Sequence, residues 1–176
     1  MSTTLRNGTL KLEATADGEV VLLRRHLAGY FEGSSEVLAL LEAKKQFTLI
    51  REGRPVVTDD VLGQMVGEAL ALRLLLSTAQ LPLNHETIVI VMATRQYMRF
   101  LSFTIPDAYV MKVQSGDSDD EEEDVDAMDR DNGQDERNED AITVRATNWL
   151  DLGVERCRQL ACDNIAALVA WQLQSQ

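Results

Sequence analysis

Short apolar runs separated by turn residues dominate the first third of the chain and predict β-strands. Residues 10–15 and 19–24 flank Ala-Asp-Gly, which is typical of a β-hairpin because Asp-Gly tolerates the positive φ angles of a tight turn. The segment EGSS indicates a second turn. The apolar stretch within residues 36–44 predicts a central strand covered on both faces. Gly53 and Pro55 then predict a turn before the first helix.

Helical periodicity predicts two helices. Apolar residues spaced three and four apart run from Val61 to Leu74, and Thr58, Asp59 and Asp60 supply a cap and favourable negative charge before them. This helix is expected to end near residue 78. A long terminal helix is predicted over residues 148–174, with core candidates Trp149, Leu152, Leu160, Ile165, Leu168 and Trp171.

Four more extended segments complete the pattern. Residues 87–94 form a second buried run, residues 97–105 and 108–113 follow as extended stretches, and residues 141–147 resume the sheet. The resulting order is β-β-β-α-β-β-β-β-α without an internal repeat. We therefore expect an α/β (α+β) fold in a single domain spanning residues 1–176.

Charge is concentrated in one segment. The chain has a formal net charge of -12, and residues 117–140 hold 14 acidic residues and two arginines, so the remainder is neutral. Such a composition cannot bury enough apolar surface to offset chain entropy, and it predicts a disordered acidic loop over residues 114–140. Its interpretations are a solvated insertion, a docking site for a basic protein, a shield over a basic groove, or kinase sites at Ser115 and Ser118.

The lengths of the apolar runs indicate the compartment in which the protein resides. The longest apolar windows, such as residues 69–76, fall short of the roughly 20 residues needed to cross a bilayer, and the first ten residues do not resemble a signal peptide. We expect an intracellular protein, cytoplasmic or nuclear, without a membrane partner.

Cys157 and Cys162 fit neither a disulfide framework nor a thiolate metal motif, and are predicted to be buried or half-buried helix residues. His26 and His85 lie far apart, which disfavours structural zinc.

Glu42 and Lys44 are the first candidates for chemistry. They lie two residues apart at the end of the predicted central strand, so both side chains point to one face at the rim of the sheet. There the carboxylate would bind a divalent metal, and the lysine would activate water or stabilise charge on a phosphate. The alternative is a strand that simply becomes charged where it reaches the surface.

Gln64 and Glu68 follow four residues apart on one helix face, among the small residues Gly63, Gly67 and Ala71, which would allow close approach to a sheet.

These segments resemble the PD-(D/E)XK nuclease-like superfamily, which has the restriction-endonuclease-like fold. LALLEAKKQ is similar to the strand with the Glu-x-Lys half of the signature, and VLGQMVGEALAL is similar to the following glutamine-containing helix. The likeness is to nuclease-like domains of uncharacterised fungal and oomycete proteins, including Crinkler-type effectors, and covers about residues 22–111. It implies a mixed central sheet flanked by helices. It also implies Glu42 as the metal-binding acid, Lys44 as the catalytic lysine, Gln64 as the glutamine near metal or substrate, and magnesium as the cofactor of an active enzyme.

The chain departs from the family pattern at the other half of the signature. The family carries a metal-binding aspartate on the preceding strand, whereas residues 20–36 contain no aspartate and no proline. Asp17, Glu32 and Glu36 are the candidate substitutes, and the amino-terminal helix of the family core is not found. The sequence therefore predicts a degenerate or non-catalytic nuclease-like interaction module. The alternatives are a magnesium-dependent nuclease or phosphodiesterase that uses Glu42 and Lys44, and an unrelated α/β protein.

Nucleic acid is a candidate partner only through local basic groups. A basic strip would be formed by Arg24, Arg25, His26, Lys44, Lys45, Arg51 and Arg54, although ordinary solvated strand ends carry the same residues. Aromatic side chains would stack on bases or fill a core, and we expect the core for Tyr97, Phe100, Phe103 and Tyr109.

Overall fold

A computed structural model describes residues 2–7, 10–25, 31–45, 49–51, 54–78, 86–115 and 141–174. The helices in these ranges are α1 (Asp59–Thr78), α2 (Asp107–Ser115) and α3 (Glu155–Gln174). The strands are β1 (Ser2–Asn7), β2 (Leu10–Thr15), β3 (Gly18–Arg25), β4 (Phe31–Lys44), β5 (Ile50–Arg51), β6 (Arg54–Pro55), β7 (Thr87–Thr94), β8 (Tyr97–Thr104), β9 (Thr143–Ala146) and β10 (Leu150–Asp151).

A mixed six-stranded sheet forms the centre of the fold. Its order is β10-β8-β7-β4-β3, and β9 also pairs with β8. β4 and β7 run parallel, whereas the other pairs are antiparallel. β1 pairs with β2, and β5 pairs with β6, in two small antiparallel sheets. The fold is thus mixed α+β, which confirms the predicted class.

α1 connects the two parallel strands and covers one face of the sheet. It begins as predicted: the Thr58 carbonyl accepts a hydrogen bond from the Leu62 N–H at 2.9 Å, and Asp59 and Asp60 occupy the first turn. Met65 and Ala69 of α1 are fully buried in the core cluster on this face. The other buried members of that cluster are Ala16, Leu40, Leu72, Leu74, Ile88, Ile90, Met92, Leu101, Phe103, Ile105 and Val110.

A second core cluster lies on the opposite face of the sheet. Leu168 and Ala161 of α3 are buried there with Leu38, Ala39, Val91, Phe100 and Leu150. β4 contributes Leu40 to the first cluster and Leu38 and Ala39 to the second, which confirms the prediction of a central strand covered on both faces. Phe100 and Phe103 are buried, and Tyr97 and Tyr109 are half-buried, as expected for core aromatics.

The predicted hairpin around Ala-Asp-Gly is wrong in its pairing. β2 pairs with β1 rather than with β3, and β3 pairs with β4. The cause lies between the strands: Ala16 is buried in the core, and the Asp17 carboxylate accepts a hydrogen bond from the Ala43 N–H at 2.9 Å. These contacts direct the chain away from β2 and into the main sheet.

The predicted turn at EGSS is also wrong, because these residues lie within the 14-residue strand β4. The pairing with β3 shifts in register between Val21 and Leu23, and β4 contributes more residues than β3 at that point. A bulge therefore accommodates the small polar residues without ending the strand. The turn at Gly53 lies outside the described residues, and Pro55 belongs to β6.

Two further boundaries differ from the predictions. Residues 108–113 belong to α2 instead of a strand, because the Pro106 carbonyl accepts from the Val110 N–H at 3.2 Å and Asp107 occupies the first turn. α2 includes residues 114–115 of the predicted acidic loop, while residues 116–140, with Ser118, lie outside the described part.

α3 begins seven residues later than predicted. Asp151 Oδ1 accepts from the Gly153 N–H at 2.8 Å, and β10 pairs with β8.

α3 is less buried than its sequence suggests. Leu168 is buried, and Trp149 and Leu152 pack partly against the core clusters. The other three core candidates are wrong, since Leu160, Ile165 and Trp171 are 41%, 39% and 37% exposed. Cys157 is half-buried as expected, whereas Cys162 is exposed, and both are free thiols. None of the helices that the structure describes has the length and apolar character required to cross a membrane.

Candidate functional site

Glu42 and Lys44 lie at the carboxyl end of β4, on the face covered by α1. Their side chains follow the alternation set by Leu40, which belongs to the core cluster under α1. Glu42 is 1% exposed, and its Oε1 forms a salt bridge with the Nζ of Lys44, whose side chain is 31% exposed. A buried carboxylate is thus paired with a lysine that reaches solvent.

Gln64 of α1 joins this pair to a second acid. Its Oε1 accepts a hydrogen bond from Lys44 Nζ at 3.0 Å. Its Nε2 donates to Glu42 Oε1 at 3.0 Å and to Glu68 Oε1 at 2.8 Å. One amide therefore orients two carboxylates and a lysine, and the three residues predicted from the sequence lie in direct contact.

Glu68 is the member of the site to which the sequence assigned no role. Its side chain lies one helical turn after Gln64 and is only 3% exposed. Burial raises the pKa of Glu68, the negative charge of Glu42 adds to this, and the hydrogen bond from Gln64 opposes it. The i, i+4 spacing to Gln64 is the sequence signal that marks this residue. Gly63 and Gly67 do not serve close approach as predicted, since a Cβ at either position would meet no atom within 4 Å.

Both carboxylates keep one buried oxygen without a hydrogen-bond partner in the described part of the chain. These atoms are Glu42 Oε2 and Glu68 Oε2, and the hydroxyl of Thr94 is unpartnered as well. Thr94 lies beside Lys44 in the parallel β4–β7 register, at the same end of the sheet. Buried polar groups without partners are uncommon in proteins, and a bound ion or water is one explanation for them. Three such atoms lie together where β4 and β7 end beneath α1.

The donor set fits a hard divalent cation. Magnesium prefers oxygen ligands and is usually held by one or two carboxylates together with water and substrate phosphates. Glu42 and Glu68 supply two such carboxylates. Within the described ranges, no group of three or more His, Cys, Asp or Glu side chains is arranged to hold a metal ion. The protein would therefore contribute two acids rather than a complete coordination shell.

Asp17 is the one candidate substitute for the family aspartate that the structure brings near this site. Its carboxylate binds the backbone N–H of Ala43, between Glu42 and Lys44, and its charge contributes to raising the pKa of Glu68. Glu32 lies at the opposite end of β4, where it pairs with Arg24, and the side chain of Glu36 is outside the described residues.

The predicted basic strip is not continuous. Arg24 and Arg25 pair with the first residues of β4, whereas Lys44 is the last residue of that strand and Lys45 follows it. Arg51 and Arg54 are exposed partners across the β5–β6 pair, and His26 lies outside the described residues. Arg24 and Arg25 are therefore separated from Lys44 by the length of β4, and Lys44 is the basic residue that contacts Glu42 and Gln64.

Comparisons of this chain with protein-family models, with curated proteins and with solved structures each found no match. The resemblance to the PD-(D/E)XK superfamily stays a prediction from the sequence. The site itself is defined by geometry: a strand supplies Glu42 and Lys44, and the helix that follows supplies Gln64 and Glu68.

Proposed function

We propose that this chain is a divalent-cation-dependent phosphodiesterase of nuclease type, with Glu42, Lys44, Gln64 and Glu68 as its active site. The observation that carries the proposal is the Gln64 amide, which binds both carboxylates and the lysine while each carboxylate retains an unpartnered buried oxygen. The Glu-x-Lys strand and the glutamine-bearing helix, which resemble the nuclease superfamily, support the same reaction class.

Each residue has a role that follows from its position. Glu42 and Glu68 would hold magnesium, which when bound polarises a phosphoryl oxygen and acidifies water. The Lys44 ammonium lies at the solvent side of the pair, where it would stabilise negative charge that develops on a phosphate. Gln64 holds Lys44 and both carboxylates in fixed orientation, so the charges are arranged before a substrate arrives.

A non-catalytic nuclease-like interaction module is the second candidate. It is favoured by the salt bridge that already occupies Glu42 Oε1, and by the lack of a three-acid group in the described residues. In this alternative the cluster stabilises the junction of β4 and α1, and the acidic segment over residues 117–140 provides the contact with a basic protein partner.

Cation binding and hydrolysis separate the two functions. We would measure manganese and magnesium binding by calorimetry on the full chain and on Glu42→Gln and Glu68→Gln, with exposed Glu155→Gln as the matched control. The acidic segment is present in the wild type and in all three variants, so its weak cation binding cancels in the comparison. Hydrolysis of bis(4-nitrophenyl) phosphate and of single-stranded DNA would be followed in parallel.

The phosphodiesterase predicts a cation site that is lost in Glu42→Gln and weakened in Glu68→Gln, and hydrolysis that falls about a hundredfold or more in Lys44→Met. Glu155→Gln should match the wild type in both measurements. Equal cation binding in all chains together with no hydrolysis would contradict the enzyme. That outcome would support the interaction module.

A further inference from the structure

A groove lies on the face of the central sheet opposite to Glu42. It has a volume of about 400 Å³ and is bounded by β7, β8, β9 and the carboxyl-terminal half of α3. Its floor includes Val89 and Phe100, which share the sheet face of the α3 core cluster. Glu42 points to the α1 face, so this groove is separate from the candidate catalytic site.

Part of the groove lining is apolar and aromatic. Phe100 and Leu168 are each 8% exposed and form a continuous surface with Val89, while Trp171 stands at the wall with 37% of its surface exposed. The volume falls within the range of small-molecule sites, which are lined mainly by apolar and aromatic side chains with a few polar groups. The groove therefore suits a small ligand with an apolar body.

Two polar side chains of the groove lie in one row across β8 and β9. Arg145 of β9 pairs with Ser102 of β8, and Ser102 pairs with Val89 of β7, so these side chains lie side by side on the groove face. Among the residues that the structure describes, Arg145 is the only charged one that lines the groove, and neither it nor Ser102 has a side-chain hydrogen-bond or ion-pair partner there. By contrast, Thr147 accepts from the Phe100 N–H, and Asn164 donates to the Leu160 carbonyl.

We propose that this groove binds a small aromatic carboxylate. The ring would pack between Phe100, Leu168 and Trp171, and the carboxylate would accept hydrogen bonds from Arg145 and Ser102. Charge complementarity selects an anion, because a neutral ligand would cover the guanidinium without supplying the opposite charge that strengthens its hydrogen bonds. This inference does not depend on the proposed phosphodiesterase activity.

The test compares an anion with its neutral analogue. Binding of naphthalene-2-carboxylate and naphthalene-2-carboxamide to the full chain would be measured by calorimetry, and the Trp171 indole N–H signal would be followed by NMR. Arg145→Gln should weaken carboxylate binding about tenfold or more and leave carboxamide binding nearly unchanged. Ser102→Ala should weaken carboxylate binding several-fold, and Trp171→Ala should weaken both ligands.

Two controls keep the result interpretable. Arg156→Gln removes an exposed arginine of α3 that does not line the groove, and it should bind as the wild type does. Glu42→Gln should bind both ligands normally, so failure of the catalytic proposal leaves this one standing. Thermal unfolding of Arg145→Gln and Ser102→Ala establishes that each variant is folded.

Three results would overturn the proposal. The first is no carboxylate binding by the wild type, and the second is equal affinity for carboxylate and carboxamide. The third is a dimer in sedimentation velocity that Trp171→Ala dissociates and the carboxylate does not. The last result would assign the groove to a second copy of this chain.

Discussion

At the scale of single residues, the Gln64 amide determines how the candidate site is arranged. It supplies hydrogen bonds to two buried carboxylates and accepts one from Lys44. Glu42 and Glu68 are both buried acids, so each side chain depends on the few donors within reach. The most informative changes are therefore those that remove one of these hydrogen bonds without altering side-chain size.

Gln64→Leu removes the amide while keeping a similar volume. Two buried carboxylates then lose a donor, and hydrogen bonds to charged groups are worth about 1.5 to 3 kcal/mol, so the free energy of unfolding should fall by about 2 kcal/mol. Urea denaturation at neutral pH measures this change. The matched control is Gln159→Leu, which removes an exposed bond to Asp163 at i, i+4 and should cost less than about 0.5 kcal/mol. Equal losses in the two variants would contradict the role assigned to Gln64.

Glu68 gives the site a predictable pH dependence. Burial raises its pKa above the ordinary value of 4.5, so the folded chain binds the proton more tightly than the unfolded chain does. Its stabilising contribution is fully present below pH 4.5 and is lost as pH rises through the raised pKa. Because Glu68→Gln mimics the protonated form, its stability relative to the wild type should increase as pH rises above about 4.5 and then level off.

Urea denaturation at intervals between about pH 4.5 and pH 8 tests this prediction. The relevant quantity is the free energy of unfolding of Glu68→Gln minus that of the wild type, in which the titration of other groups largely cancels. Exposed Glu155→Gln should show no such increase. A difference that stays flat or decreases with pH would mean that the folded protein does not disfavour the Glu68 carboxylate.

At the scale of elements, the buried side chain of Arg73 links α1 to α2. Its Nη2 forms a salt bridge with Asp107 Oδ1, and the two side chains are 9% and 66% exposed. The exposed partner is screened by solvent, so the pair is worth less than a fully buried one. It nevertheless supplies the counter-charge for a guanidinium whose Nε has no partner among the described residues.

Asp107→Asn should lower the free energy of unfolding by about 1 kcal/mol, because Arg73 stays buried with a neutral partner. Adding Arg73→Met should recover part of the loss, since an apolar side chain of similar length removes the unpaired charge. Denaturation of both variants, with exposed Asp163→Asn as the control, measures these effects. A double variant that is less stable than Asp107→Asn alone would contradict this account.

At the scale of the whole molecule, the net charge of -12 is carried by residues 117–140, and the rest of the chain is neutral. A concentrated negative charge repels polyanions over roughly the Debye length, which is about 10 Å at 0.1 M salt. Basic groups such as Arg51 and Arg54 therefore compete with an acidic segment of the same chain.

Changing the 14 acidic residues of this segment to asparagine or glutamine keeps its length and removes the repulsion. We expect this full-length variant to bind a duplex oligonucleotide at least tenfold more tightly at about 0.02 M salt, with the difference shrinking towards 0.5 M. Fluorescence anisotropy measures both affinities. A control variant in which Ser118 and Asn132 become alanine should bind the duplex as the wild type does. Equal affinity of the wild type and both variants would contradict the idea that the acidic segment shields basic groups.

Local patterns along the chain were sufficient to predict the elements whose periodicity is strong. Residues 87–94 were predicted with correct bounds, and the helix after Thr58 was predicted with its correct end at residue 78, because alternation and capping are encoded by neighbours along the chain. The proximity of Glu42 and Lys44 also follows from strand geometry alone. For the same reason, the mixed α+β class could be predicted without any tertiary information.

Tertiary structure decided the pairing of strands and the membership of the site. β2 pairs with β1, and a bulge carries β4 through EGSS, because register depends on partners distant in sequence. The helical state of residues 107–115 and the exposure of Leu160, Ile165 and Trp171 likewise depend on packing around them. Gln64 binds both Glu42 and Glu68 only because α1 connects two parallel strands and packs on the sheet face of Glu42, and Thr94 lies beside Lys44 through the register of those strands. A local pattern can specify which face a side chain occupies, but only the folded chain determines which other side chains share that face.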